Sequence, residues 1–334
     1  MLFRSEADAA TDPVSVAGNV TVIVIGGYDA PGLRTSERVQ RIADEQAQLD
    51  QAFAAAQQSG DAVQQLALSQ RMYWRRGLSL DTSLAPNFAI ERALASLKEK
   101  GIVRPGSIQR VGIVGAGLDF ADKDAGFDAY PVQTVQPFAV LDAIRRLGLA
   151  ATAGEVDVVA LDLSPRVIDH IERLSADAVR GRDYTITLPL ARDGGWLPEF
   201  EAYWREFGSA VGSVVPAAPN STLSTLADVR AIRIPAARAS HVSVADLNIV
   251  TQRLDAPPFD LVVGTNVFVY YGPLDQALAL ANATSMLREG GLLLSNTVLP
   301  EVKALPVDVA DLTTISYTQQ TRKDVIVSYR VRRN

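Results

Sequence analysis

Gly115-Ala116-Gly117 and Asp162 are the residues whose types and spacing best suit chemistry in this chain. Each group closes a short apolar run, "VGIVGAG" at 111–117 and "VDVVALD" at 156–162. A Gly-Ala-Gly turn lets backbone approach a ligand closely, because glycine carries no Cβ and tolerates positive φ. A carboxylate closing the next strand is placed to accept hydrogen bonds from both vicinal hydroxyls of a ribose. Helix capping is the plainer use of Asp162. Leu163 follows it, and a second pair, Asp246-Leu247, ends the run "HVSVADL". Asp246 could accept from an adenine amino group or cap a turn. The glycine turn lacks the third glycine of GxGxxG, and no P-loop is present.

A further cluster lies in "PFDLVVGTNVFVYY", residues 258–271. Leu261-Val262-Val263 has the texture of a strand buried on both faces. Asn266 stands at its mouth, where parallel sheets bind ligands, although Gly-Thr-Asn also suits an ordinary turn. Tyr270 follows as a second candidate catalytic residue, with Tyr271 beside it. The chain has two histidines. His170 falls inside a helix and His241 begins a strand, and both are expected to be structural. No Ser-His-Asp spacing or HExxH pattern occurs, and cysteine is absent, so thiolate chemistry and thiolate metal sites are excluded. No metal ligand set is expected. Asp119, Asp122, Asp124 and Asp128 crowd one loop, but they lack the glycine and terminal glutamate of an EF-hand and are expected to be solvated.

Strand must alternate with helix to hold these residues at one edge. The runs at 111–117, 156–162, 241–247, 259–266 and 291–298 read as strands. Helices are expected at 137–148, begun by Pro137, at 164–174 with Ser164 as N-cap, and at 273–291. The last should bury Ala277, Leu280, Ala281, Thr284 and Leu287. "TTISYT" and "DVIVSYRV" close the chain as a hairpin. This pattern specifies an α/β, doubly wound, mostly parallel sheet with antiparallel strands at one edge. Ahead of it lie a strand at 19–27, a helix pair from 35 to 74, and a helix at 87–101 ended by Gly101. Residues 175–238 interrupt the rhythm with a strand "YTITLPL", an aromatic helix "LPEFEAYWREFG" and a Pro/Ser/Ala-rich loop. An insertion so long is expected to sit over the mouth of the sheet and shape the choice of substrate.

The 334 residues are 48% hydrophobic and 21% charged, with net charge -6. Nothing in that balance favours nucleic acid or an anionic membrane, and no apolar run approaches the roughly 20 residues that span a bilayer. "MLFRS" lacks the apolar core of a signal peptide, which implies a cytoplasmic protein. It also matches one frame of a common sequencing adapter, so the natural start is expected to differ and export stays open.

Glycine loop, ribose acid, an acid ending the third strand, "FDLVV" and the "LREGGLLLSN" turn together resemble class I S-adenosylmethionine (SAM) methyltransferases. More narrowly, "FDLVVGTNVFVYYGPLDQALALA" is similar to the "FDxIxxRNVLxYF" segment of CheR-type methyltransferases, which esterify receptor glutamates. "VQPFAVLDAI" is similar to that family's "EEPYSLAM", and "ADLNIV" to its "HNLL". The resemblance covers roughly residues 110–300. It implies a seven-stranded Rossmann-like methyltransferase domain over 105–334, with the insertion at 175–238, and an N-terminal strand and helical region over 1–104. It implies SAM as cofactor, held by Gly115, Ala116, Gly117, Asp162, Leu163, Asp246, Leu247 and Asn266. The chain departs from the pattern where Thr265 replaces an arginine, Gln136 replaces an acid, and 118–136 separates the glycine loop from its helix. The family's receptor specificity is therefore not carried over. The methyl acceptor, a small-molecule or protein carboxyl or hydroxyl group, is not legible. A non-catalytic SAM-fold module and a nicotinamide-dependent oxidoreductase stand as alternatives.

Overall fold

The computed structural model describes residues 51, 55, 85–119, 132–151, 154–189, 196–217, 229–317 and 324–332. The expected strand at 19–27 and, apart from 51 and 55, the helix pair at 35–74 lie outside these residues. Helix α1 spans Ala85–Glu99 and buries Phe88, Ile90, Leu94 and Leu97, the stripe its sequence spacing dictates. Gly101 ends that segment at φ 66°.

Seven strands then build one sheet. β1 is Arg110–Val114, β2 Asp157–Asp162, β6 Val242–Asp246, β7 Phe259–Gly264, β8 Leu287–Ser295, β9 Val307–Ile315 and β10 Asp324–Val331. Their order is β6-β2-β1-β7-β8-β10-β9, which is the Rossmann-like methyltransferase order. Neighbours from β6 to β8 pair in parallel, and β10 runs antiparallel to both β8 and β9. The chain leaves β1 toward β2 and β6, then returns to β7 on the other side. The mouth between β1 and β7 is thus the point where strand order reverses, the crevice in which open α/β sheets hold ligands.

Helices cover both faces. On one, α1, α2 (Gln136–Arg146) and α3 (Pro165–Val179) share a core with Val111, Ile113, Leu261 and Leu292. On the other, α6 (Pro273–Met286) packs Ala279, Leu280, Ala283 and Met286 over Val262, Leu293 and Val327. The buried stripe of α6 differs from the expected one, since Ala277 and Ala281 are only half-buried. Its end also differs. The helix stops at Met286, and Leu287, expected to be helical, pairs with Phe259 as the first residue of β8. Tertiary pairing overrides helix propensity here. The Arg288 guanidinium meets Asp260, whose carboxylate also accepts from the Gln109 and Arg110 N–H groups at 2.7 and 2.9 Å. The aspartate of "FDLVV" is therefore a structural clamp at the amino ends of β1, β7 and β8.

The interruption at 175–238 begins inside α3, which runs past its expected end at 174 to Val179. It goes on to β3 (Tyr184–Pro189), α4 (Pro198–Glu206), β4 (Ser213–Val215), β5 (Val229–Ile234) and the short α5 (Ala236–Ala239). The strands form an antiparallel sheet in the order β3-β5-β4, of which only β3 was expected. The described residues of this unit pack along α1 and α2. Phe88 of α1 sits 5.1 Å from Phe200 and 5.3 Å from Tyr203. Arg146 of α2 pairs with Asp142 and Glu91, and with Glu206 of α4, while Asp142 accepts from Ala210 N–H at 2.8 Å. Trp196, Phe200, Tyr203, Trp204 and Phe207 are all buried in this joint. They are core. β3 reaches the entry to α2, where Thr187 and Tyr184 meet Gln133 and Thr134.

Candidate active site at the strand-order reversal

β1 ends in Gly115 and Gly117, both in the left-handed region at φ 69° and 66°, with Ala116 buried between them. A Cβ on Gly115 would lie 2.5 Å from Val267 Cγ2, so the β1 turn can approach the segment after β7 only as glycine. The Gly115 N–H donates to Leu161 O at 2.8 Å. The Gly117 N–H donates to Asp162 Oδ2 at 3.3 Å, and Asp162 Oδ1 accepts from Ser164 N–H at 2.9 Å. Ser164 thus holds the N-cap position of α3 without a capping bond from its own hydroxyl, and the carboxylate two residues earlier reaches it instead. One carboxylate ties the glycine turn to the start of α3.

Asp162 pairs directly with Asp246 in the β2–β6 register, which sets the two sequence-predicted acids side by side at the carboxyl edge. Leu247 N–H donates to Asp162 O at 3.1 Å and its side chain is buried, whereas Leu163 is 50% exposed. Gly115, Ala116, Gly117, Asp162, Leu163, Asp246 and Leu247 therefore cluster at the ends of three adjacent strands.

Asn266 stands past the end of β7 at φ 58°, a left-handed conformation that asparagine tolerates better than most residues. Its backbone N–H donates to Asn296 Oδ1 at 2.9 Å, and Asn296 Nδ2 donates to Asn266 Oδ1 at 2.6 Å. Asn296, just beyond β8, joins this candidate cluster and was not among the residues expected there. Of the two tyrosines, Tyr270 is 46% exposed and Tyr271 half-buried. Burial, with the nearby charges of Asp162 and Asp275, raises the Tyr271 phenol above its ordinary pKa and keeps it protonated.

Gln136, at the start of α2, is fully buried and donates through Nε2 to the Thr265 hydroxyl at 2.8 Å. Its Oε1 is buried without a hydrogen-bond partner. The approach to Gln136 is held from several sides. Asp119 is 2% exposed, and its carboxylate accepts from Val135 N–H, so this aspartate is a buried fastener and not the solvated loop residue expected. Asp122, Asp124 and Asp128 lie outside the described residues. Gln133 exchanges two 2.9 Å bonds with the Thr187 backbone. Thr134 N–H donates to Tyr184 Oη at 2.9 Å, and Tyr184 Oη meets His170 Nε2 at 3.0 Å. Since the Thr134 backbone N–H can only donate, the phenol's own proton is available to His170, whose Nε2 accepts as the neutral imidazole. Burial, with Arg173 and Arg166 nearby, pushes that imidazole down to about 4. His241 pairs with Asp157 at 2.8 Å at the opposite edge of the sheet. Both histidines are structural.

Among the described residues no group of three or more His, Asp or Glu side chains could hold a metal ion, and no helix is long and apolar enough to cross a membrane. The arrangement brings together a glycine turn, two carboxylates side by side and a buried amide.

No protein-family model matches the chain, and no curated protein matches it. Solved structures do. The chain is similar to the N-methyltransferase NodS from Bradyrhizobium japonicum WM9, at 11% identity over 73% of this chain and 97% of that one, with a TM-score of 0.34. It is similar to magnesium protoporphyrin IX methyltransferase (ChlM) from Synechocystis PCC 6803 with bound SAM, at 10% identity over 74% and 79%, TM-score 0.35. It is also similar to the glycopeptide N-methyltransferase MtfA complexed with SAM, at 13% identity over 74% and 94%, TM-score 0.37. The assignment of the fold rests on the strand order itself.

Proposed function

We propose that the chain is a SAM-dependent methyltransferase acting on a carboxyl or hydroxyl oxygen. The observation that carries this reading is the Asp162 carboxylate, fixed by the Gly117 N–H at the carboxyl edge of a sheet with the methyltransferase strand order. When bound, SAM supplies an electrophilic methyl group on a sulfonium. The chain's own residues bind and orient. Asp162 receives the ribose hydroxyls, and the turn at Gly115, Ala116 and Gly117 brings backbone N–H groups close. Asp246 receives the adenine amino group between Leu163 and Leu247. Gln136 Oε1, a buried acceptor without a partner among the described residues, suits the ammonium of the methionine tail. Asn266 faces the acceptor side, with Tyr270 at its margin. In-line displacement needs proximity and alignment above all, which is what such a site provides.

Local likeness to CheR-type enzymes supports a carboxylate acceptor. Thr265 and Gln136, standing where that pattern has an arginine and an acid, argue for a different substrate from receptor glutamates. Calorimetric titration with SAM, S-adenosylhomocysteine (SAH) and NAD tests the reading. Binding of SAM and SAH without NAD is expected. Binding of NAD alone would replace the reading with an oxidoreductase, and binding of none would remove it.

A further inference from the structure

Gln136 opens α2, and the start of that helix lacks a side-chain cap. Val135 holds the N-cap position without a capping bond, and Pro137 brings no N–H to the first turn. The residues leading into the helix are held by β3 of the insertion instead. Gln133 lends its side-chain amide to β3 as an extra ladder partner, accepting Thr187 N–H and donating to Thr187 O at 2.9 Å each. Tyr184, at the start of β3, does more. Its hydroxyl accepts from Thr134 N–H at 2.9 Å, two residues before Gln136. Its ring stacks on Phe138, two residues after Gln136, with 5.2 Å between centroids and 25° between planes. One side chain thus grips the backbone on both sides of the buried amide. Thr134, Gln136 and Phe138 are fully buried, and close packing there passes a shift at either grip on to the residue between them. In the ladder of the inserted sheet, Tyr184 itself is paired with Ile234 of β5.

We infer that Tyr184 is the positioning residue for Gln136, through which the inserted three-stranded sheet sets the buried amide at the strand-order reversal. This rests on the methyltransferase reading, in which Gln136 meets the methionine tail of the cofactor, and it gives the insertion a share in the geometry of the cofactor site. Tyr184 acts through Thr134 and Phe138. Removing its hydroxyl strands the buried Thr134 N–H, and the backbone there must move to find another acceptor. Gln136 is then released on the Thr134 side while the ring still holds the Phe138 side.

The test uses the full chain, ¹⁵N-labelled, with the Gln136 side-chain NH₂ signals assigned by their loss in Gln136→Glu. Tyr184→Phe keeps the ring on Phe138 and removes the hydroxyl. It is expected to shift the Gln136 NH₂ signals and to weaken SAH binding about three- to tenfold by calorimetry, within the worth of one neutral hydrogen bond. Phe200→Ala is the control, since its ring anchors the same insertion on Phe88 of α1. It should leave the NH₂ signals in place and SAH affinity within about twofold of the wild type. Unmoved NH₂ signals or undiminished SAH affinity in Tyr184→Phe, or equal changes in Phe200→Ala, would overturn the inference. Should Tyr184→Phe not fold, hydrogen exchange in the wild type decides. Coupling is reciprocal, so SAH must slow exchange of the Thr134 amide, and exchange that SAH leaves unchanged overturns the inference. Failure of the wild type to bind SAH counts against the methyltransferase reading instead, and the NH₂ shift in Tyr184→Phe then judges the positioning of Gln136 separately.

Discussion

Gln136 donates its side-chain amide to the Thr265 hydroxyl across 2.8 Å, and both side chains are sealed from solvent. Residue 136 opens α2 and residue 265 follows β7, so this bond closes the mouth where strand order reverses. The bond is neutral, so no buried charge has to be desolvated to close it.

Thr265→Val removes the acceptor with little change of shape and leaves a buried amide N–H unpaired, at a cost of about 1–3 kcal/mol. Adding Gln136→Leu removes the stranded donor as well. The double variant should lose clearly less than the sum of the two single losses when urea midpoints are compared. Additive losses would mean that the bond does not couple the two side chains.

Asp162→Ala is expected to weaken SAM binding about ten- to a hundredfold, the range for one hydrogen bond to a charged group. Asp162→Asn, which still offers an oxygen to Ser164 N–H, should fall between. Calorimetry on folded variants measures both. Unchanged affinity in Asp162→Ala would move the ribose acid elsewhere.

His170 predicts a pH dependence. Its folded pKa lies at about 4 against an ordinary 6.5, so the neutral ring is the form that the fold stabilises. That contribution is complete above about pH 6.5 and drains as pH falls through about 4, by up to about 3 kcal/mol. His170→Gln retains an acceptor for the Tyr184 hydroxyl but does not titrate. Stability of the wild type relative to this variant should drop between pH 7 and pH 4, as read from urea unfolding at each pH. A constant difference would refute it.

Phe200→Ala should cost about 3–5 kcal/mol, as for other buried aromatic rings. SAM affinity in the folded variant should stay within about twofold of the wild type, because the ring packs on α1 and Tyr317 away from the β1 turn. A large loss of cofactor binding would tie the aromatic joint to the site after all.

The strands that build the site were legible because each is an apolar run ended by a turn residue or an acid, and Gly115, Gly117, Asp162 and Asp246 announce themselves at those ends. What escaped depends on partners distant in sequence. Leu287 and Arg288 read as helix until Phe259 and Asp260 claim them. β5 carried its signal in "VRAIRI", whose Ala231, Ile232 and Ile234 are buried, but its flanks of small residues read as loop. Asn296 is one polar residue after a strand, and only the Asn266 backbone, 30 residues earlier, gives it a task. Asp119 looked like one of four solvated acids until Val135 returned to it.

That return has a consequence for the long segment between the glycine turn and α2. Asp119 N–H donates to Gln133 O at 2.9 Å, and the Asp119 carboxylate takes Val135 N–H. The chain leaves and re-enters at a single pinched neck. The neck closes the circuit from glycine turn to helix through hydrogen bonds, and it sets Gly117 and Gln136 relative to each other. Exchanges of sequence beyond it are therefore expected to leave both in place.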